Sequence, residues 1–216
     1  MADFEGIFTD IRSKMERDNE IREELIVLGR RSIRNSSLSI RHLHRNEMEK
    51  AQEIIKENSQ LIAKINNLAR NMSALPFGMI LSCNQEYAES VLLYSFLREE
   101  SFPSYTDLNI PYLAYLHGIP DFIGELRRVI LDSLRKKDKI DISIRALELM
   151  EDLYSLLITL DYPDGFTYNL RKKTDYSRNI TEKTRGDVTL AMNRIDLIES
   201  FNKIVRDHSL LGNKKG

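Results

Sequence analysis

Isoleucines recur at positions 26, 33 and 40, with Leu43 three residues further on, in a stretch from Asp18 to Arg45 that holds no proline. A seven-residue apolar period returns to one face of an α-helix every two turns, so this stretch predicts one long helix. Ile54, Leu61 and Leu68 carry the same period, backed by Ile55, Ile62 and Ile65, and predict a second helix over 47–69 packed on the first. With 9 glycines and 5 prolines in 216 residues, and with charged residues at 30%, the chain is suited to long amphipathic helices with solvated outer faces. The expectation is an all-α fold in a single domain over residues 1–211. Residues 212–216, Gly-Asn-Lys-Lys-Gly, are too small and polar to bury and are expected to form a mobile tail.

Breakers divide the rest. Pro76 and Gly78 place a connection at Ser73–Gly78, and a third helix is expected from about Asn84 to Glu100, ending before Pro103. Tyr105 to Asn109 reads as loop. Pro111 suits a first helical turn, and Gly118 with Pro120 is expected to break that helix before a further segment from Asp121 to Lys137. A helix over 141–160, a turn at Tyr162-Pro163-Asp164-Gly165 and a last helix from about Tyr168 to Arg206 complete the count at about seven.

Composition excludes several classes. The single Cys83 forms neither an intrachain disulfide nor a CxxC zinc site, which points to a reducing compartment. The opening residues lack the basic start and apolar stretch of a secretory signal, and no apolar run approaches the roughly 20 residues of a membrane span. A cytoplasmic protein without a membrane role is expected. A net charge of −1 and a pI near 6.5 argue against a uniformly basic nucleic-acid binder, so any RNA binding must use a local patch.

Two acidic segments carry the chemistry. Positions 86, 89, 93 and 96 follow a 3, 4, 3 spacing, so Glu86 and Glu89 share a helical stripe with Leu93 and Phe96 and meet the partly buried end of an apolar seam. An unpaired charge there is expensive and demands compensation. Asp121 and Glu125, four apart, likewise share a face. Four carboxylates without histidine or cysteine form an oxygen-rich set suited to Mg²⁺ or Mn²⁺ rather than zinc, and such an ion could activate water against a phosphodiester. By spacing alone, surface charge paired with Arg127 or Arg128 is the commoner explanation. Arg30, Arg34, Arg41 and Arg45 cluster on one face of the first helix and could track a phosphate backbone. A solvated face paired with Glu23, Glu24, Glu47 and Glu49 explains them equally well. The basic residues of 168–185 fit either RNA contact or an interface. His42 and His44 face different sides of a helix and read as structural, and Cys83 has no histidine partner that would make it a nucleophile.

At these residues the chain resembles the translin superfamily over about 18–206. Gln85-Glu86-Tyr87-Ala88-Glu89 is similar to the QEYxE motif, and Asp121-Phe122-Ile123-Gly124-Glu125-Leu126 to the DxxGEL motif, of its translin-associated factor X branch. Leu28-x-Arg30 with Leu43-His44-Arg45 resembles the family's first helix, and Leu170-Arg171-Lys172-Lys173-x-Asp175 the start of its last. The resemblance implies a bundle of about seven helices assembling into a hollow octamer. It further implies Glu86, Glu89, Asp121 and Glu125 as both catalytic residues and ligands of Mg²⁺, in an endoribonuclease that cleaves single-stranded RNA through metal-activated water. The short N-terminus without a basic import stretch implies a simpler, prokaryotic-type homo-oligomer.

The competing expectation is a non-catalytic oligomer that binds single-stranded RNA or DNA, as translin does. A di-iron carboxylate bundle is disfavoured because neither acidic segment contains a Glu-x-x-His pair.

Overall fold

The computed structural model describes residues 3–72, 77–135 and 140–212. Among these residues lie seven helices and no strand: α1 (Phe4–His44), α2 (Met48–Arg70), α3 (Phe77–Arg98), α4 (Tyr112–Arg135), α5 (Ile140–Leu157), α6 (Asp164–Thr167) and α7 (Leu170–Gly212). The all-α expectation of about seven helices holds.

α1 reaches back to Phe4 rather than Asp18. Asp3 caps it by accepting the Gly6 amide at 3.0 Å, and Glu5 lies in the first turn, where the helix dipole favours negative charge. The helix ends at His44, before the left-handed Asn46. Of the connection expected at 73–78, residues 73–76 lie outside the described residues, while Phe77 and Gly78 already open α3. The turn expected at 162–165 runs directly into α6, and the left-handed Tyr168 and Asn169 separate α6 from α7. α7 extends to Gly212, the first residue of the tail expected over 212–216, and residues 213–216 lie outside the described residues.

The expected break at Gly118 and Pro120 does not occur, because α4 is one continuous helix with Pro120 inside it. Pro120 removes one helical N–H and crowds the preceding turn. In that turn the Lys173 ammonium donates to the His117 carbonyl at 3.2 Å, one residue past the Leu116 carbonyl that Pro120 leaves without its helical donor. Gly118 serves packing rather than breakage. A Cβ there would lie 3.0 Å from both the Ala88 Cβ and the Gln85 carbonyl oxygen, so α4 crosses α3 almost backbone to backbone.

The chain resolves into two compact units, Met1–Phe122 with Tyr162–Lys173 and Ile123–Asp161 with Thr174–Gly216. In the first, α1, α2 and α3 pack on one another. Their core gathers Leu25, Ile62, Ile65, Cys83, Tyr87 and Val91. α1 turns Gly29, Ser32, Ser36, Ser39 and Ile40 inward between Leu25 and Leu43, so Ile26 and Ile33 flank the seam instead of forming it. Small residues along that line let neighbouring helices approach closely.

Asparagines span the resulting core. Asn58 donates to the Ser32 carbonyl at 3.2 Å and to Ser36 Oγ at 2.9 Å. Asn66 and Asn84 exchange amide hydrogen bonds at 2.9 and 3.0 Å, and Asn66 also donates to the Asn109 carbonyl at 2.9 Å. In the second unit α7 buries Ser177, Thr181, Thr184 and Val188. There Arg127 donates to Thr184 Oγ1 at 2.6 Å and to Asp187 at 3.0 Å.

The Asn66 pairing yields a stability prediction. Asn66→Ala removes both side-chain bonds of buried Asn84 to Asn66, leaving its Oδ1 without that donor, and should cost about 1–3 kcal/mol. Urea unfolding of the variant checks this, and an unchanged midpoint would show the network contributes nothing net.

Candidate active site

α3 begins as a nearly all-round apolar helix. From Tyr87 to Phe96 every residue is buried, and that run includes Glu89, which is only 8% exposed. Glu86, one turn earlier, is half-buried. Leu93 and Phe96 continue the stripe into the core, with Phe96 set edge-on to Phe122 at 6.5 Å. The expected inward stripe is therefore present, with its two carboxylates one to two turns ahead of Leu93 on the same helix.

The Gly118 contact brings the middle of α4 against this part of α3. Gln85 Nε2 donates to Asp121 Oδ2 at 2.5 Å, linking the two acidic segments directly. Lys173, in the first turn of α7, donates to both Asp121 oxygens at 3.0 and 2.9 Å. Asp121 is thus a half-buried carboxylate held by one ammonium and one carboxamide. His117, one turn before it, is buried and pairs through Nε2 with the Thr167 carbonyl at 2.8 Å. Burial lowers its pKa below the usual imidazole value of 6.5, and the neighbouring Lys173 charge acts in the same direction. The ring is neutral near pH 7 and serves as a hydrogen-bond donor to Thr167.

Glu86, Glu89 and Asp121 belong to the first unit. Glu125, one turn beyond Asp121 on α4, belongs to the second, where it lies 3.7 Å from Arg128. Arg127, the other cation expected to neutralise this segment, is instead committed to Asp187. Among the described residues no three His, Cys, Asp or Glu side chains converge as a metal cluster. The donor set nevertheless suits a hard cation in kind. It is all oxygen, and Asp121 already satisfies its charge with a cation, the Lys173 ammonium.

Arg30, Arg34, Arg41 and Arg45 are all exposed along α1 and at its end. Three of the four acids expected to pair with them are engaged elsewhere: Glu23 with Arg22 at 2.8 Å, Glu24 with Lys64 at 2.6 Å, and Glu47 with Lys50 at 3.1 Å and with His42, while Glu49 is exposed. In the 168–185 region, Arg178 pairs with Glu182 at 3.0 Å and Arg185 with Glu151 at 2.7 Å. Cys83 is fully buried, and burial pushes its thiol up to about 11, consistent with an inert core residue.

Lys173, Gln85 and His117 emerge as site residues only from the structure. The sequence signals were Gln85 directly before Glu86, His117 one turn before Asp121, and the need of a half-buried acid for a cation.

Seven helices among the described residues, an apolar core crossed by asparagine hydrogen bonds and acidic residues at an α3–α4 crossing define an all-helical class of protein. Residues 20–184 match the Translin family, and the chain belongs to it. An uncharacterized protein of Methanocaldococcus jannaschii is 32% identical over 188 residues, spanning 86% of this chain and 83% of the relative. The solved structure of AfC3PO is 30% identical, with a TM-score of 0.79 over 87% of this chain and 97% of its own. A complex of AfC3PO with duplex RNA aligns with a TM-score of 0.81 at 29% identity, over 87% of this chain and 97% of that one.

The buried imidazole gives a pH prediction. Its folded pKa lies below the unfolded value, so the unfolded chain takes up a proton first as pH falls below about 6.5, and stability contributed above that pH is lost as the pH drops toward the folded value. Unfolding free energies at pH 7.5 and 5.5 should fall less in His117→Asn than in the wild type. Equal losses in both would remove His117 from the acid response.

Proposed function

We propose that this protein is a divalent-metal-dependent endoribonuclease acting on single-stranded RNA, of the translin-associated factor X type. The observation that carries this reading is the α3–α4 crossing. It sets half-buried Glu86 and buried Glu89 on α3 and joins that segment to Asp121 through Gln85. Glu125 follows Asp121 on the same helix, and all four carboxylates fall within the family match. The AfC3PO complex with duplex RNA supports nucleic acid as the ligand class.

In this reading Glu86, Glu89, Asp121 and Glu125 hold Mg²⁺, or Mn²⁺, once Lys173 yields its place on Asp121. A bound ion of this kind supplies Lewis acidity to a phosphodiester and to water. The chain's own residues provide the rest. Gln85 keeps Asp121 oriented while its cation changes. The buried run from Tyr87 to Phe96 closes the floor of the site to solvent. The exposed arginines Arg30, Arg34, Arg41 and Arg45 hold the strand through its phosphates, an interaction that weakens with salt. The assembly is a homo-oligomer, an octamer by the family resemblance, and the compartment is cytoplasmic.

One observation favours a second reading. Asp121 is already neutralised by Lys173, which is how a carboxylate with a purely structural role would be settled. That reading is an oligomeric protein that binds single-stranded RNA or DNA without cutting it.

Cleavage of a labelled single-stranded RNA by wild type and by Glu89→Ala/Glu125→Ala, each with Mg²⁺ and with EDTA, separates the two. The nuclease reading expects products from wild type with Mg²⁺ alone, and a double variant that still binds RNA. Retention without cutting under all four conditions would leave the binding protein.

A further inference from the structure

Outside the carboxylate site, the first unit contains a cavity of about 430 Å³, bounded by the end of α2, the start of α3 and the 105–111 segment. That size lies within the range of roughly 300–1,000 Å³ typical of small-ligand sites. Its walls are held in place. Asn66 is fixed by its bonds to Asn84 and to the Asn109 carbonyl. The Phe77 ring stacks on Tyr168 at a centroid distance of 4.2 Å and an interplanar angle of 21°. Tyr105 is braced edge-on by Tyr112 at 6.5 Å. Asn109 adopts the left-handed conformation, with its N–H on the Thr106 carbonyl at 3.1 Å, so its exposed side chain starts from a fixed backbone.

The chemistry of the lining is specific. Phe77 and Tyr105 supply aromatic rings, Pro111 a flat apolar edge, Asn109 a carboxamide with donor and acceptor, and Arg70 an exposed guanidinium. Rings beside a cation form the combination by which proteins hold unpaired bases and their phosphates. A carboxamide adds the means to hydrogen-bond a base edge. A purely aliphatic ligand would have no use for Asn109 or Arg70.

We propose that this cavity seats one unpaired nucleobase of a single-stranded RNA, with Tyr105 and Phe77 against the base, Asn109 at its polar edge and Arg70 at the adjoining phosphate. The site deepens the nucleic-acid reading given above and rests on it. It would hold the strand by a base, whereas the α1 arginines hold it by phosphates alone.

The test is equilibrium binding, in EDTA to prevent cleavage, of a short single-stranded RNA and of the same strand made abasic throughout. The proteins are wild type, Tyr105→Ala, Tyr105→Phe and Arg70→Ala, with thermal unfolding as the folding control. Tyr105 is 44% exposed, so its truncation should leave the fold intact. Wild type should prefer the base-bearing strand by at least about fivefold, the scale of one base–aromatic contact. Tyr105→Ala should lose that preference, Tyr105→Phe should keep it, and Arg70→Ala should weaken both strands alike. If wild type binds both strands equally, or if Tyr105→Ala keeps the preference, the cavity is not a base site, while the RNA reading stands. If wild type binds neither strand, both readings fall together.

Discussion

The ammonium of Lys173 on the carboxylate of Asp121 is the interaction on which the acidic site depends. It joins the first turn of α7 to the middle of α4, and Gln85 extends the link to α3, so three helices meet on one carboxylate. The same ammonium serves the His117 carbonyl in the turn that Pro120 weakens. One cation therefore neutralises a half-buried acid and also binds a backbone carbonyl one turn before it. Any cation that displaced it from Asp121 would have to offset the loss of both contacts, which ties ligand affinity at this site to the local stability of α4.

Closeness of backbone is the second condition. Gly118 admits α4 to within ordinary contact of the Gln85–Glu89 turn, where a side chain at that position would collide with Ala88 and the Gln85 carbonyl. The buried serines 32, 36 and 39 keep the inward line of α1 narrow. Helices that approach so closely leave little room for long aliphatic side chains between them. Asn58, Asn66 and Asn84 then supply hydrogen bonds across the seams, which offset much of the cost of burying their amides.

Much of this architecture was legible in the sequence, and the failures have a common cause. Seven-residue apolar spacing found α1 and α2, because isoleucines and leucines flanking a buried seam keep the helical period even where small and polar residues fill the seam itself. The same criterion was blind to buried Ser32, Ser36, Asn58, Asn66 and Thr184, whose polarity reads as surface. Pro120 and Gly118 look like local breakers in sequence, yet α4 runs through both, and the close approach of the α3 backbone favours the glycine. At the acidic site, the inward stripe of Glu86 and Glu89 and the shared helix of Asp121 and Glu125 followed from spacing. That Asp121 would be claimed by a lysine 52 residues further along the chain did not, since helix periodicity relates only residues within a few turns of one another.

The ends of the two longest helices carry a pattern that the packing of neither unit uses. The buried residues of α1 begin only at Leu25, but Phe4, Phe8, Ile11 and Met15 continue a 4, 3, 4 apolar spacing through its exposed first turns. Beyond Val188, the last buried position of α7 among the described side chains, Leu190, Leu197, Phe201 and Ile204 repeat the pattern at 7, 4 and 3. A solvated helix gains nothing from an apolar stripe, and isolated proteins seldom expose large contiguous apolar surfaces. Such stripes are the means by which helices associate with other helices. Their positions, outside 25–188, keep them clear in sequence of the carboxylates at 86–125 and of the arginines at 30–45. Within the proposed homo-oligomer, association and chemistry would then occupy different parts of the same chain. Substitutions at Phe8 or Phe201 would act on assembly, and substitutions at Glu89 on chemistry, with little coupling between them.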